Sequence, residues 1–339
     1  MSPTHKILII KRDKIGDLIL TTPLFALIKS QLPTAELHLL ANTYNGWVVE
    51  NDSHIDKLWL YPRAKENGRS SLQAAFTQAR QLMTLRHQRF DWIIVAGSYA
   101  SKRANWRARW IATNKTRIAA YCDAATASGI TDPLRPPNGG HEVERMADLL
   151  RPLGINVSAL PPPHIEPPSS WISEANDFLA VRGLAANGYV MLGIGARRRA
   201  RQPSAAQILR WSRAIHERHG LATVFTWTPG SRDDNGYPGD DDIAAEVLAQ
   251  ATEWLHPYRG TLGTVVGLTW LARTSLFPDS GLMHIAAASP GGVTGLFTAS
   301  PEQWGPRGPR ARVLIAGESV DRLADDVVLT ALDLNLKNE

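Results

Sequence analysis

Two short stretches put chemically capable residues where a strand gives way to a turn. In KRDKIGDLILTTP, Lys11 to Pro23, an apolar run ends in a loop carrying Gly16 and Asp17. Ligands of open α/β sheets bind beyond the carboxyl ends of the strands, so a carboxylate in this loop stands at the edge of a cleft. Thr22 before Pro23 suits a helix N-cap with proline at the first helical position, or else a helix begins near Asp17 and kinks at Pro23. Either way Asp17 lies near a helix start. The competing reading is a plain turn and cap, as Gly-Asp pairs commonly are. In PDSGLMHIAAAS, residues 278 to 289, Asp279 ends an apolar strand and Ser280 and Gly281 turn the chain. The next helix presents unpaired backbone N–H groups and the positive end of its dipole, a seat for a phosphate, with His284 about one turn above Gly281. An ordinary Asp/Ser cap beside a partly exposed histidine is the alternative.

A third stretch, GIGARRRARQP at 193 to 203, opens with Gly193 and Gly195 like a dinucleotide fingerprint, but the third glycine is missing and arginines fill the turn. A nicotinamide cofactor is therefore not expected. Arginine forks at a strand's carboxyl end suit a diphosphate held bidentately, with a solvated basic loop as the alternative. Asp240, Asp241 and Asp242 contain the D-x-D spacing that elsewhere holds a metal bound to a sugar nucleotide. That use needs an apolar strand just before the acids, whereas NGYPG precedes them and a helical pattern follows. They are read as complementing a helix N-terminus, and no metal is expected. The block 101 to 117 interleaves Trp106 and Trp110 with Lys102, Arg103, Arg107, Arg109, Lys115 and Arg117. Rings among cations suit single-stranded nucleic acid, carbohydrate or acidic lipid, while tryptophans at i, i+4 equally suit the buried stripe of a helix.

The frame that must position these residues is an alternation of strands and helices. KILIIK (6–11), ELHLLA (36–41) and DWIIVAG (91–97) read as buried strands, with helices over 23–32 and 72–88. LPPPHIEPPSSW, 160 to 171, packs five prolines into twelve residues and cannot continue a helix or a central strand. The grammar then restarts, with strands at 189–195, 222–227, 275–281 and VTGLFT, and helices near 171–182, 204–220, 241–252 and 264–274, in LMHIAAAS, and in the terminal DRLADDVVLTALDLN. Such alternation implies parallel sheets, an α/β class and two domains. Composition agrees: 339 residues, 44% apolar and 20% charged, exclude a small disulfide scaffold and a disordered chain. The single cysteine, Cys122, makes neither an internal disulfide nor a structural zinc site, and a reducing, cytoplasmic setting is expected. The apolar run near the N-terminus is too short for a secretory or spanning segment. The formal charge of +5 is concentrated in the two basic blocks, which want anions.

KILIIKRDKIGDLILTTPLFALIK near the start, with FPDSGLMHIAAAS and GLFTASPEQWGP (295–306) later, resembles glycosyltransferase family 9, the ADP-heptose:lipopolysaccharide heptosyltransferases. The resemblance implies a GT-B architecture, two Rossmann-like parallel-sheet domains facing a central cleft. Residues 1–165 would bind the acceptor and 166–339 the nucleotide sugar, and whether the last helix packs back on the first domain is left open. It further implies an inverting, metal-independent transfer, with Asp17 matching the catalytic carboxylate. Asp279, Ser280, Gly281 and His284 match a donor-site D-T/S-G-x-x-H, and Thr298 lies where the family again approaches the donor. Many members carry a lysine just before a Trp-Pro. Here Ala200 takes its place and Gln202 replaces the tryptophan, which leaves Arg199 or Arg201 to meet the phosphate. The implied partners are a nucleotide-sugar donor such as ADP-heptose and an anionic glycolipid acceptor at the inner face of the inner membrane, with no further cofactor and no nucleic acid. A noncatalytic nucleotide- or glycan-binding protein that keeps the fold is the second reading.

Overall fold

The computed structural model describes residues 5–62, 65–66, 69–70, 72–234, 238–299 and 301–337. Residues 235–237 of NGYPG and Ser300 of GLFTASPEQWGP lie outside the described residues. The chain divides into two units, Met1–Glu166 and Pro167–Glu339.

In the first unit, strands β1 (Lys6–Ile10), β2 (Glu36–Asn42), β3 (Lys57–Tyr61), β4 (Trp92–Val95), β5 (Arg117–Tyr121) and β6 (Asp132–Leu134) form a parallel sheet in the order β3-β2-β1-β4-β5-β6. β1 is central, with Ile7 opposite Leu37 on one side and Trp92 on the other. Helices cover both faces of such a sheet, which is why Ile7, Leu8, Ile9 and Ile10 are all buried and the run is continuous rather than alternating. After β1 the chain forms a one-turn helix α1 (Ile15–Ile19), then α2 (Thr22–Gln31), and later α3 (Leu72–His87), α4 (Lys102–Ile111) and α5 (Glu142–Ala147). The two alternatives for the Asp17 region thus both hold in part. A helix does start before Asp17, and a second starts at Thr22, with Thr21 rather than Thr22 in the N-cap position, making no side-chain cap bond, and Pro23 in its first turn.

The second unit repeats the plan. Strands β7 (Tyr189–Gly193), β8 (Ala222–Thr226), β9 (Leu255–Tyr258), β10 (Thr274–Pro278), β11 (Val293–Phe297) and β12 (Ala311–Ile315) are parallel in the order β9-β8-β7-β10-β11-β12. Helices α6 (Ser169–Ala180), α7 (Ala205–His219), α8 (Asp241–Leu248), α9 (Leu262–Leu271), α10 (Gly281–Ala287) and α11 (Asp325–Lys337) flank them. α11 packs in this unit's own core: Val328, Leu329, Leu332 and Leu336 join Trp211, Phe225 and Leu276. Near its end the buried Asn335 donates through Nδ2 to Thr294 Oγ1 at 3.2 Å and accepts from Arg312 Nε at 2.8 Å. In both sheets the strand order reverses between the first and fourth strands, and a crevice opens at such a switch point beyond the carboxyl ends.

Strands β3, β5, β6, β9 and β12 and helix α5 are not read from the sequence, and α4 only as one of two readings. At the sheet edges the reason is local: β3 and β12 are partly exposed and each carries one charged residue, and Pro257 sits in the edge strand β9, where its missing N–H is harmless. Among the described residues, no helix is long and apolar enough to cross a membrane.

α6 and α9 approach closely because α9 carries Gly263 and Gly267 on the contact. A Cβ at Gly267 would lie 2.2 Å from the Trp171 carbonyl oxygen, a backbone atom that cannot rotate away. Alanine normally exceeds glycine in helix stability by about 1 kcal/mol. Here the sign reverses. Gly267→Ala is expected to cost roughly 1–3 kcal/mol, seen as a lower urea midpoint at unchanged slope. An unchanged or higher midpoint would show that α6 shifts without penalty.

Candidate functional site

At the carboxyl end of β1 the chain places a lysine among carboxylates. Lys11 is buried, its backbone N–H donates to Leu40 O at 3.0 Å, and its Nζ lies 3.3 Å from Asp13 Oδ2 and 3.9 Å from Glu142 Oε1. Nζ also approaches Met146 Sδ at 3.4 Å, so α5 supplies both a carboxylate and a soft acceptor. Asp17 follows six residues after Lys11, at the third position of α1, where its Oδ2 accepts the Lys14 backbone N–H at 2.8 Å. That bond satisfies an otherwise orphan donor and fixes the carboxylate's rotamer.

Burial disfavours the anionic form, and it pushes the Asp17 carboxyl above its ordinary value, opposed by the charge of Lys11 and the Lys14 hydrogen bond. Glu142 is raised for the same reason, again opposed by Lys11. Its Oε2 is buried without a hydrogen-bond partner among the described residues. Tyr99, after β4, donates to Asp13 Oδ1 at 3.3 Å, and burial together with the Asp13 charge pushes its phenol up to about 12. A raised carboxyl at a switch point is a stronger base than a free aspartate. Sequence reasoning found Asp17 and missed Lys11, Asp13, Tyr99 and Glu142. A signal existed for Lys11, a cation directly ending the buried run KILIIK. Glu142 gave none, because β1 and α5 meet only in the fold.

In the second unit, the expected residues Asp279, Ser280, Gly281 and His284 follow β10, and Thr298 follows β11. Asp279 N donates to Leu296 O at 3.0 Å, continuing the ladder one residue beyond β10, and Thr298 follows β11 on the neighbouring strand. Ser280 is the extended N-cap of α10, and Gly281 begins that helix. Ser280 Oγ is buried with no hydrogen-bond partner among the described residues. His284 is buried rather than partly exposed. The arginine loop after β7 sends its two candidates to different carboxylates. Arg201 Nη1 lies 2.5 Å from Asp279 Oδ2, whereas Arg199 Nη1 turns away to Asp242 Oδ2 at 2.9 Å. Arg201 therefore joins the cluster and Arg199 does not.

Gln202, where the resemblance would have a tryptophan, is buried and braces this loop: its Nε2 donates to Ile194 O at 3.1 Å and to Asp240 Oδ1 at 2.5 Å. Asp240 is itself buried and accepts the Thr228 N–H at 3.2 Å, and burial raises its carboxyl despite these bonds. Asp241 accepts from Trp227 Nε1 at 2.8 Å and Gly230 N at 3.0 Å. Asp241 and Asp242 do stand in the first turn of α8, but Asp240 makes no side-chain cap bond and holds the loop instead.

The basic block 101 to 117 is mostly helix α4. Its tryptophans are not a buried stripe: Trp106 is 45% and Trp110 56% exposed, with ring centroids 5.7 Å apart. Arg107 donates to Gln78 Oε1 at 2.7 Å and Arg109 to Ser128 O at 2.6 Å, and Arg117 pairs with Asp132. Lys102, Arg103, Trp106 and Trp110 remain on the exposed side.

The family profile of glycosyltransferase family 9 (heptosyltransferase) matches residues 83–323. The chain superposes on a glycosyl transferase family 9 protein from Veillonella parvula with a TM-score of 0.81 at 17% identity, covering 99% of this chain and 98% of that one. On E. coli ADP-heptose lps heptosyltransferase II the TM-score is 0.74 at 20% identity, covering 98% of each chain. On E. coli heptosyltransferase WaaC with ADP it is 0.74 at 15%, covering 97% of this chain and 99% of that one. At such identities the likeness speaks to the fold, two Rossmann-like domains of GT-B type. A curated Haemophilus influenzae protein named "Putative glycosyltransferase" is 29% identical over 115 residues, and the chain spans only 30% of that relative's length. With the family profile matched across most of its length, the chain belongs to glycosyltransferase family 9.

Proposed function

We propose that this chain is an inverting, metal-independent glycosyltransferase that transfers heptose from ADP-heptose, or a close nucleotide sugar, to a hydroxyl of lipopolysaccharide core or a related surface glycan. The observation that carries the reading is Asp17: a carboxylate held in one rotamer by Lys14, raised by burial, at the switch point of a Rossmann-like sheet. In the reaction, Asp17 takes the proton of the acceptor hydroxyl as that oxygen attacks the anomeric carbon from the face opposite the diphosphate. The new C–O bond forms as the bond to the β-phosphate oxygen breaks, the electron pair leaves with ADP, and the configuration inverts. Burial raises the basicity of Asp17 and Asp13 adds to it, while Lys11 opposes both and favours the ionised form that can accept the proton.

On the donor side, Arg201 supplies a fork suited to the diphosphate, Ser280 Oγ and the Gly281 backbone N–H can donate to it, and Asp279 suits sugar hydroxyls. His284 and Thr298 border the same strand ends. Arg199 pairs with Asp242 instead of Asp279 and is assigned the lesser role. Metal independence is supported by the use of Asp240, Asp241 and Asp242 as internal hydrogen-bond and ion-pair partners. Lys102, Arg103, Trp106 and Trp110 give the first unit a face suited to an anionic glycolipid at the inner face of the inner membrane. The replacement of the family's lysine by Ala200 favours the second reading, a binder without turnover.

Transfer assays with ADP-heptose and truncated glycolipid acceptors separate the two. Asp17→Asn is expected to lower kcat by about 10²–10⁴-fold while ADP affinity holds. Equal turnover would remove Asp17 from the mechanism, and ADP binding without transfer to any acceptor would favour the binder.

Arg201→Ala is expected to weaken ADP binding roughly 10–100-fold by calorimetry, the value of a charge-assisted hydrogen bond, with Arg199→Ala close to wild type. The reverse ranking would reassign the phosphate contact.

Burial also fixes the sign of a pH effect. Because the folded pKa of Asp17 is raised, its contribution to stability is full below the unfolded value and is lost as pH rises through the folded one. Asp17→Asn is therefore expected to melt at or above the wild-type temperature at neutral pH, the advantage disappearing below the ordinary aspartate range. A lower midpoint at neutral pH would show that the anionic form is favoured by folding.

A further inference from the structure

Outside the residues assigned to transfer, the first unit gathers two imidazoles and two carboxylates from chain segments more than a hundred residues apart. Asp52 and His54 lie in the turn before β3, and His164 and Glu166 lie at the unit's end, just before Pro167. One ligand atom from each of the four lies within 4.8 Å of all the others. Asp52 is buried at the centre, with His54 Nδ1 at 2.9 Å from Oδ1 and His164 Nε2 at 3.0 Å from Oδ2. The imidazole centroids are 4.8 Å apart.

We propose that Asp52, His54, His164 and Glu166 form a structural site for one divalent transition-metal ion, of which Zn²⁺ is the best match. Two imidazoles argue against Mg²⁺ and Ca²⁺, which take oxygen donors, and an N₂O₂ set of four suits tetrahedral Zn²⁺. Donors about 2.0–2.2 Å from such an ion stand roughly 3.4 Å from one another. The cluster meets this with side-chain shifts on the order of 1 Å at its half-exposed members. A neutral imidazole with its proton on the opposite nitrogen presents a lone pair where it now faces Asp52, so ligation requires the other tautomer together with those shifts.

A clamp of histidines on an aspartate does not need Glu166, yet this carboxylate is built in. Ser53 donates to its Oε1 twice, from the backbone N–H at 3.2 Å and from Oγ at 2.6 Å. Asp52 Oδ1 likewise accepts the His54 backbone N–H at 3.0 Å. Carboxylate ligands that are themselves hydrogen-bonded are the usual supporting shell of a metal. The segment is further pinned by His164 N donating to Thr22 Oγ1 at 2.9 Å. An ion here closes a long loop of chain, the arrangement in which a cross-link gains most, and four protein ligands leave no open position for catalysis.

The test uses the full chain, stripped with EDTA and dialysed, then titrated with Zn²⁺ and with Co²⁺. Expected are one Zn²⁺ retained per chain by elemental analysis, a raised melting temperature, and the visible bands of tetrahedral Co²⁺. His54→Ala/His164→Ala is expected to lose the retained ion and the bands. Glu166→Gln keeps the shape and removes a charge, and is expected to bind at least about tenfold more weakly. Absence of a stoichiometric ion in the wild type overturns the proposal, as does an unchanged Co²⁺ spectrum in the double variant. Should the double variant not fold, wild-type Co²⁺ bands lacking imidazole ligation, or full affinity in Glu166→Gln, would do the same.

Discussion

Parallel strands buried on both faces leave only their ends for chemistry. In each unit the apolar runs KILII and YVMLG are consumed by packing, and Lys11, Asp13, Asp17, Tyr99, Arg201, Asp279 and Thr298 all follow a strand's carboxyl end. The strand order then decides which ends matter. Because it reverses between β1 and β4 and again between β7 and β10, the loops on either side of each reversal diverge, and the residues they carry face a gap rather than a neighbouring connection. Asp17 follows β1, Arg201 follows β7 and Asp279 follows β10. Within the second unit, the meeting of Arg201 with Asp279 is a property of the winding before it is a property of their side chains.

Those strand ends are polar and largely dry, and their stability depends on compensation. Lys11 has almost no exposure, and its partners Asp13 and Glu142 come from the adjoining loop and from a helix over a hundred residues away. Gln202 plays the equivalent part in the second unit by joining Ile194 and Asp240 under the arginine loop. Removing one member of such a set strands the others without water, which costs more than the bond itself contributed.

Most of the architecture was legible from the residues. Short, largely apolar runs announced β1, β2, β4, β7, β8, β10 and β11, and the proline-dense stretch at 160 to 171 marked a change in pattern. Edge strands escaped because they are half exposed and carry lysine, arginine or proline, as in KLWLY, LHPY and ARVLI. Local motifs exposed Asp17 and the Asp279 to His284 turn because each is a contiguous strand-turn-helix signal. The choice between Arg199 and Arg201, the partnership of Lys11 with Glu142, and the meeting of residues 52 to 54 with 164 to 166 depend on contacts between distant segments, on which spacing is silent. The tryptophans of α4 left two readings open, since an i, i+4 pair describes a helical face without saying whether water or protein lies against it.

The side-chain amide of Asn335 reaches both Thr294 on β11 and Arg312 on β12, only a few residues from the last described position. The final turn of α11 is thus a fastener for two strands of the sheet, not an appendage. A shortened version ending before that asparagine leaves a threonine hydroxyl stranded in the interior and two neighbouring strands without their tie. Affinity handles and fluorescent fusions belong beyond Lys337, with enough slack that the fastener stays closed.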